Sequence, residues 1–387
     1  MFGALRNNSF GSVLDANRGA GPGFDLLRLG LALLILLSHA SKLDGHSGFT
    51  AALTDLLKQG LAIFDGGVHV AAHIPPAPSA SHGTPSTGIT GPLVRSLVPM
   101  FFALSGFLVA GSALRTPQLS RFLGLRALRI FPALFVEVLL SAVILGALFT
   151  TLPLDQYFTH PEFWAYFYNI IGYVHFDLPG VFKDSLDTAV NANLWTLPYE
   201  LECYILMSAL MILGLIRRRI LYTVVFAVAT VVLIVANVQY GFEASMGTVG
   251  GRVLVYYFAA GVLLFLWREK IPHSFLLFMV AGVIAYLCFF SVKLVFVAPL
   301  FLTYVTMYLG LARLPQVPLL KTGDYSYGIY LYGFPVTQAL VATVGRGSMN
   351  FALMVLLAAG LTMAFAAFSW HGVEKHCLKL KKYLVKR

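Results

Sequence analysis

Apolar runs long enough to cross a membrane dominate this chain. Several approach or exceed the roughly 20 residues that a helix needs to span the hydrocarbon core of a bilayer. Hydrophobic residues make up 58% of the 387 residues and charged residues only 11%, against about 45–50% and 25% in soluble domains. The runs lack the alternating pattern of membrane β-barrel strands. The sequence therefore predicts an all-α, polytopic transmembrane helical bundle.

Chain breakers and polar segments divide the apolar runs into about ten candidate spans by hydropathy. These are residues 24–43, 94–114, 128–150, 194–216, 220–239, 251–267, 273–290, 292–311, 326–345 and 350–371. Most of the 27 Lys and Arg residues fall in alternate connections between spans, and such clusters mark the cytoplasmic side. We therefore expect both termini to be cytoplasmic. The net charge of +10 is explained by this topology, and no nucleic-acid partner is predicted.

The predicted spans form one membrane domain over residues 24–374. A cytoplasmic tail over 1–23 precedes it, and a basic cytoplasmic tail over 375–387 follows it. Two long connections, 44–93 and 151–193, are expected to lie outside.

The two outer connections carry different signals. The first holds four histidines, namely His46, His69, His73 and His82. Their spacing matches no compact ligand pattern, so no metal site is predicted. The second contains the aromatic segment 163–168, which is typical of a helix lying at the membrane interface.

Two ionisable residues of the first span mark the predicted working site, because such residues are costly inside a bilayer and indicate function by default. Arg28 and His39 are eleven residues apart. At about 100° and 1.5 Å per residue they share one helix face and stand about 16 Å apart along the axis. We expect an anion-binding group near the cytoplasmic end and a titratable base near the outer end. The alternative for Arg28 is an ion pair with Asp25 and a guanidinium that reaches the headgroups.

Basic and acidic residues elsewhere fit the same division. Arg115, Arg126 and Arg129 follow the second span, and the last two stand at i and i+3. That spacing forms a fork suited to phosphate groups. Glu200 in the fourth span is expected at about the depth of His39, where a carboxylate would orient the imidazole and raise its basicity.

Five motifs of the chain resemble the acyltransferase 3 family of membrane-bound O-acyltransferases, over about residues 24 to 374. The matching residues are Asp25, Arg28 and His39; Phe102, Ser105, Gly106, Phe107, Leu108 and Arg115; Arg126, Arg129 and Pro132; Leu194, Trp195, Thr196, Leu197 and Glu200; and Ser326 to Leu331. One departure is Gly333, which stands where many members have a histidine. A role for that histidine cannot apply here.

The resemblance implies an enzyme of the bacterial inner membrane. Such an enzyme takes an acyl group, usually acetyl from cytosolic acetyl-CoA, and places it on a hydroxyl of a carbohydrate such as an O-antigen or exopolysaccharide. By position, His39 would be the catalytic base. Arg28, Arg126 and Arg129, joined by Arg115, would bind the acyl-CoA. No metal cofactor is implied, and the expected partners are acyl-CoA, a carbohydrate acceptor and membrane lipids.

The roles of several residues stay open at this stage. Asn193, Trp195 and Tyr199 are candidates for contacting a sugar, although the aromatic belt of membrane proteins explains the last two equally well. Ser105 would carry the acyl group in a covalent mechanism, but a Ser-Gly pair in a membrane helix is more often a close-packing site. The rival functions are a transporter or flippase that uses the same Arg and His, and a non-catalytic assembly scaffold. Association into a homo-oligomer is left open.

Overall fold

The computed structural model describes residues 9–45, 91–240, 250–290, 294–315 and 317–385, except residues 18 and 20. The described residues form helices and connecting segments, with no β-strand among them. The prediction of an all-α fold is confirmed. Most of the predicted outer connection 44–93, with its four histidines, lies outside the described residues.

A helix occupies each of the ten predicted spans. In chain order the α-helices of five or more residues are α1 (Phe10–Ala16), α2 (Phe24–Leu43), α3 (Gly91–Arg115), α4 (Leu119–Leu140), α5 (Leu154–Thr159), α6 (Pro161–Tyr166), α7 (Leu197–Ile212), α8 (Arg219–Tyr240), α9 (Gly251–Leu266), α10 (Phe275–Cys288), α11 (Ala298–Leu311), α12 (Ser326–Val344), α13 (Phe351–Ser369), α14 (Lys375–Lys379) and α15 (Lys381–Val385).

Among the described residues, five helical stretches are long and apolar enough to cross a membrane. They are α2, α3, α4 with its continuation to Phe149, α8, and α13 with its continuation to Leu384. Helices α9, α10 and α11 are apolar but shorter. The number of spans and the side of the termini stay predictions.

The N-terminal tail contains a helix that hydropathy did not indicate. Ser9 caps α1 by accepting a hydrogen bond from the backbone N–H of Ser12 at 3.1 Å, which satisfies one of the free amides of a helix start. Phe10 is fully buried, and its ring lies 5.2 Å from that of Tyr304. A local cap and one buried aromatic residue therefore anchor this part of the tail.

The chain divides into two compact units. The first unit comprises Met1–Leu31, Thr87–Arg126 and Tyr199–Thr322, and the second comprises Ala32–Ser86, Ala127–Pro198 and Gly323–Arg387. Each unit is described by itself below.

Two glycines allow α3 and α9 to pack backbone against backbone in the first unit. A Cβ atom on Gly106 would lie 2.0 Å from the carbonyl oxygen of Phe258, and one on Gly261 would lie 2.1 Å from that of Ala103. Small residues at such crossings let membrane helices approach closely. The close-packing interpretation of the Ser105-Gly106 pair is therefore supported.

We expect Gly261→Ala to destabilise the protein by about 1–3 kcal/mol, because the added methyl overpacks against a backbone carbonyl that cannot rotate away. The measurement is the thermal unfolding midpoint of the purified protein in detergent. Gly360→Ala in α13 is the matched control, since nothing lies within 4 Å of its Cβ position. Helix propensity should make this control neutral or slightly stabilising. Equal loss in both variants would contradict the close helix crossing.

In the second unit, α12 packs against α13 through Gly328, whose Cβ position lies 2.8 Å from the Cα atom of Ala366. The end of α2 packs on α13 through a buried apolar cluster that includes Leu37, Ala40 and Phe351. These contacts fix the part of α2 that carries His39.

The connection 151–193, predicted to lie outside, is helical where the aromatic segment predicted a helix. Helix α6 continues into a 3₁₀-helix over Phe167–Ile171. Trp164 and Tyr168 are 62% and 55% exposed, which suits aromatic rings that contact headgroups. Near the end of the connection, a 3₁₀-helix over Ala192–Thr196 leads into α7.

Candidate active site

His39 lies one turn before the end of α2, in the second unit, and is half-buried. The ring of Phe334 meets it edge to face, with centroids 5.1 Å apart. The side-chain amide of Asn193 lies within hydrogen-bonding range of the imidazole, and the charges that act on it are those of Lys42 and Asp187. The imidazole thus contacts an aromatic ring of α12 and interacts with polar groups of the segment 187–193.

Asn193 is fixed by hydrogen bonds to α12. Its Nδ2 atom donates to the carbonyl oxygen of Tyr330 at 2.6 Å, and the Tyr330 hydroxyl donates back to the carbonyl oxygen of Asn193 at 3.2 Å. The Oδ1 atom of Asn193 is buried and has no hydrogen-bond partner of full geometry in the described part of the chain. Because Nδ2 donates to Tyr330, Oδ1 is the atom of this amide that can accept from an N–H of the His39 ring.

Asp187 is the acidic residue whose charge acts on His39. One carboxylate oxygen pairs with Lys42 Nζ at 2.7 Å, and the other accepts from the backbone N–H of Ala189 at 3.2 Å. Gln338 donates to the carbonyl oxygen of Asp187 and ties this segment to α12. The sequence did not single out Asp187, because an acidic residue in a polar outer segment carries no signal of its own.

Glu200, the predicted partner of His39, belongs to the first unit. Its Oε1 atom accepts a hydrogen bond from the hydroxyl of Tyr204 at 2.9 Å. The pairing of Glu200 with His39 stays a prediction.

Arg28 lies in the first turns of α2 and pairs with Asp25 at i, i+3, which is the alternative considered from the sequence. Helix α2 is continuous from Phe24 to Leu43. The shared face and the separation of about 16 Å between Arg28 and His39 stay a prediction from helix geometry.

The two arginines of the predicted phosphate fork have different surroundings. Arg129 Nη2 lies 2.6 Å from Asp324 Oδ2, and its Nη1 lies 3.7 Å from Glu374 Oε2. In contrast, the Nε atom of Arg126 is buried and has no hydrogen-bond partner in the described part of the chain. Arg126 also interacts electrostatically with Tyr204. The charge of Arg129 is compensated by carboxylates, whereas Arg126 retains a donor for an incoming anion.

The remaining predicted residues lie on defined elements. Arg115 is exposed at the end of α3. Trp195 is half-buried in the 3₁₀-helix over Ala192–Thr196. Tyr199 packs in the first unit against Gly251, where a Cβ atom would lie 1.9 Å from its ring. No cluster of three or more metal-ligating side chains occurs among the residues that the structure describes.

Comparison with known proteins decides the family. The acyltransferase 3 family, described as an acyltransferase domain, matches residues 22–371. The chain belongs to this family. It is 30% identical over 321 residues to nodulation protein 10 of Rhizobium leguminosarum bv. viciae, which covers 75% of this chain and 84% of that protein. It is 27% identical over 290 residues to an O-acetyl transferase of Shigella phage Sf6, which covers 73% and 84% respectively. No solved structure matches.

The family membership confirms the resemblance inferred from the motifs. The acyltransferase 3 protein described here is an O-acyltransferase and a multi-pass membrane protein. This result favours an enzyme over the transporter and the scaffold considered from the sequence.

We expect Asp187→Asn to lower kcat about tenfold with little change in KM for the acyl donor. A carboxylate near a histidine stabilises the imidazolium that forms when the ring takes a proton, and a tenfold loss corresponds to about 1.4 kcal/mol. The measurement is the initial rate as a function of donor concentration. Asp184→Asn is the control, because this exposed carboxylate of the same segment is not among the charges that act on His39. A wild-type kcat for Asp187→Asn would contradict this role.

Proposed function

We propose that this acyltransferase moves an acetyl group from cytosolic acetyl-CoA to a hydroxyl of a cell-envelope carbohydrate, and that it works in the bacterial inner membrane. The observation that supports the proposal is a half-buried imidazole, that of His39, within hydrogen-bonding range of the Asn193 amide and under the charge of Asp187, in a chain of an acyltransferase family. The similarity to a protein named O-acetyl transferase favours acetyl as the transferred group.

His39 acts as the general base of this reaction. Its imidazole accepts the proton of the acceptor hydroxyl while that oxygen attacks the carbonyl carbon of the thioester. The C–O ester bond forms, the C–S bond breaks, and the imidazolium returns the proton to the departing thiolate. The products are the acylated acceptor and free CoA thiol, so no further reactant is needed.

The polar groups around His39 have separate tasks in the proposed reaction. Asp187 stabilises the transient imidazolium. Asn193 is proposed to hold the His39 imidazole in place through its side-chain amide, which leaves the hydroxyl proton of the acceptor to the base. Glu200 is proposed to support the basicity of His39, and Trp195 and Tyr199 to contact the sugar through ring faces.

The donor is held at its phosphates by Arg126 and Arg129, with Arg115 and Arg28 contributing further positive charge. Arginine forks suit phosphate geometry. Arg126 binds with its Nε donor, whereas Arg129 must share its guanidinium with Asp324. The pantetheine arm of the donor is of the same order as the separation of about 16 Å between Arg28 and His39, so the thioester can extend from the arginines to the base.

Two measurements test the proposal. Purified protein supplied with acetyl-CoA should release CoA only when a carbohydrate acceptor is present. Mass spectrometry of surface glycans from cells with and without the gene should show an acetyl-sized increment that depends on the gene. A mass increment of another size would contradict acetyl as the transferred group, and an increment on a molecule other than a glycan would contradict the carbohydrate acceptor.

A further inference from the structure

Helix α4 carries a fully buried carboxyl group that the proposed chemistry does not use. Glu137 is 0% exposed. Its Oε1 atom accepts hydrogen bonds from Ser141 Oγ and from Asn191 Nδ2, both at 2.8 Å. Its Oε2 atom has no hydrogen-bond partner among the described residues. A buried carboxyl group with only partial satisfaction is costly, and inside a membrane span it indicates function by default.

The hydrogen bonds of Glu137 lead to the segment that faces His39. Asn191 donates through the same Nδ2 atom to the carbonyl oxygen of Leu331 at 2.9 Å. Its Oδ1 atom accepts from the backbone N–H of Asn193 at 3.1 Å. Glu137 and Asn193 are therefore joined through one side chain, and the amide of Asn193 in turn lies beside the His39 imidazole.

Local backbone geometry supports a specialised role for this part of α4. The helix passes directly into a π-helical turn over Ser141–Leu145, and such turns are rare and occur often at functional sites. Ser141, the first residue of that turn, is itself a hydrogen-bond donor to Glu137.

We propose that Glu137 is a positioning residue for acyl transfer, which holds Asn191 and thereby fixes Asn193 against His39. This inference rests on the proposed role of His39 as the base. The other fully buried carboxylate of the unit, Glu374, accepts from Ser369 and faces Arg129. Its hydrogen bonds therefore do not lead to Asn193. A displacement of about 1 Å at a reacting group costs on the order of 100-fold in rate, which is the loss expected when this support is removed.

The decisive comparison is between Glu137→Gln and Glu137→Leu in the full-length purified protein. Glutamine keeps an Oε1 atom that accepts from Ser141 and Asn191, so kcat should stay within a few-fold of the wild type. Leucine removes the acceptor, and kcat should fall on the order of 100-fold with KM for acetyl-CoA unchanged. Asn191→Leu should reproduce the leucine result.

A double-mutant cycle shows whether Glu137 acts through Asn193. If it does, Glu137→Leu combined with Asn193→Ala should be no slower than the slower single variant, because interacting residues are not additive. If the fold losses in kcat of the two single variants multiply in the double variant, the proposal is overturned. A wild-type kcat for Glu137→Leu would also overturn it, as would a Glu137→Gln variant as slow as Glu137→Leu, because the charge itself would then be required.

Controls separate this result from misfolding and from failure of the proposed function. Thr362 lies in the same unit as Glu137, and its buried hydroxyl has no hydrogen-bond partner among the described residues. Thr362→Val should therefore leave kcat within about twofold of the wild type, because no hydrogen bond is broken. If Glu137→Leu does not fold, Glu137→Asp replaces it, because the shorter side chain withdraws the carboxylate from Asn191 by one methylene. A fall in kcat with an unchanged KM is then expected, and a wild-type kcat would overturn the proposal. A fully active His39→Ala variant would overturn the proposed function. An inactive His39→Ala variant with an active Glu137→Leu variant would overturn only the positioning role.

Discussion

Replacing His39 by alanine is expected to lower the rate of acyl transfer by about 10²- to 10⁴-fold, the usual contribution of a positioned general base. The variant loses the group that takes the proton from the acceptor hydroxyl, while the arginines assigned to the donor are untouched. We therefore expect the affinity for acetyl-CoA to stay close to that of the wild type. Acceptor-dependent release of CoA measures the rate, and equilibrium binding of labelled acetyl-CoA measures the affinity.

A matched histidine makes this experiment specific. His376 is exposed in α14 and has no role in the proposed reaction, so His376→Ala should transfer acyl groups at the wild-type rate. If His39→Ala and His376→Ala are equally active, His39 is not the base. If His39→Ala loses both acetyl-CoA binding and activity, this residue belongs to the donor site instead.

The elements of the fold were largely predictable because membrane spans carry a strong signal in each separate segment. A run of about 20 apolar residues must satisfy its backbone polar groups within itself and is therefore helical. The predicted first span coincides with α2, from Phe24 to Leu43. Helix α1 escaped detection because it has only seven residues, and two buried apolar side chains, Phe10 and Leu14, are too few to raise the mean hydropathy of a span-length window.

The candidate site was predictable only in part. The cost of an ionisable residue in a bilayer identified Arg28 and His39, and the same criterion applied to the third predicted span would have selected Glu137. Asp187 could not be found in this way, since it lies in a polar connection between predicted spans. Its relation to His39 depends on how residues about 150 positions apart in the sequence meet in the second unit.

Contacts between distant segments also explain why the two fork arginines differ. Arg126 and Arg129 are equivalent in the sequence, at i and i+3 of one helix. The carboxylates that compensate Arg129 are Asp324 and Glu374, nearly 200 and 250 residues further along the chain. The sequence thus predicts the cluster of charge but not which arginine keeps a donor for an anion.

This asymmetry makes Arg126→Ala the second large expected effect. We expect KM for acetyl-CoA to rise about 10- to 100-fold with kcat little changed, because a hydrogen bond to a charged group contributes about 1.5–3 kcal/mol. The loss concerns binding of the donor in both ground and transition states, which raises KM alone. Arg218→Ala, at an exposed arginine between α7 and α8, should leave KM unchanged.

A truncated donor shows whether Arg126 acts on the phosphates. S-acetylpantetheine keeps the thioester and the arm but lacks every phosphate, so the wild type should use it poorly, with a KM that Arg126→Ala does not raise further. Arg126→Lys retains a charge but loses the planar donor geometry. Its KM for acetyl-CoA should lie between that of the wild type and that of Arg126→Ala. If alanine impairs both donors by the same factor, Arg126 supports the fold or the arm of the donor and not its phosphates. The buried Nε atom of Arg126 would then need a different ligand.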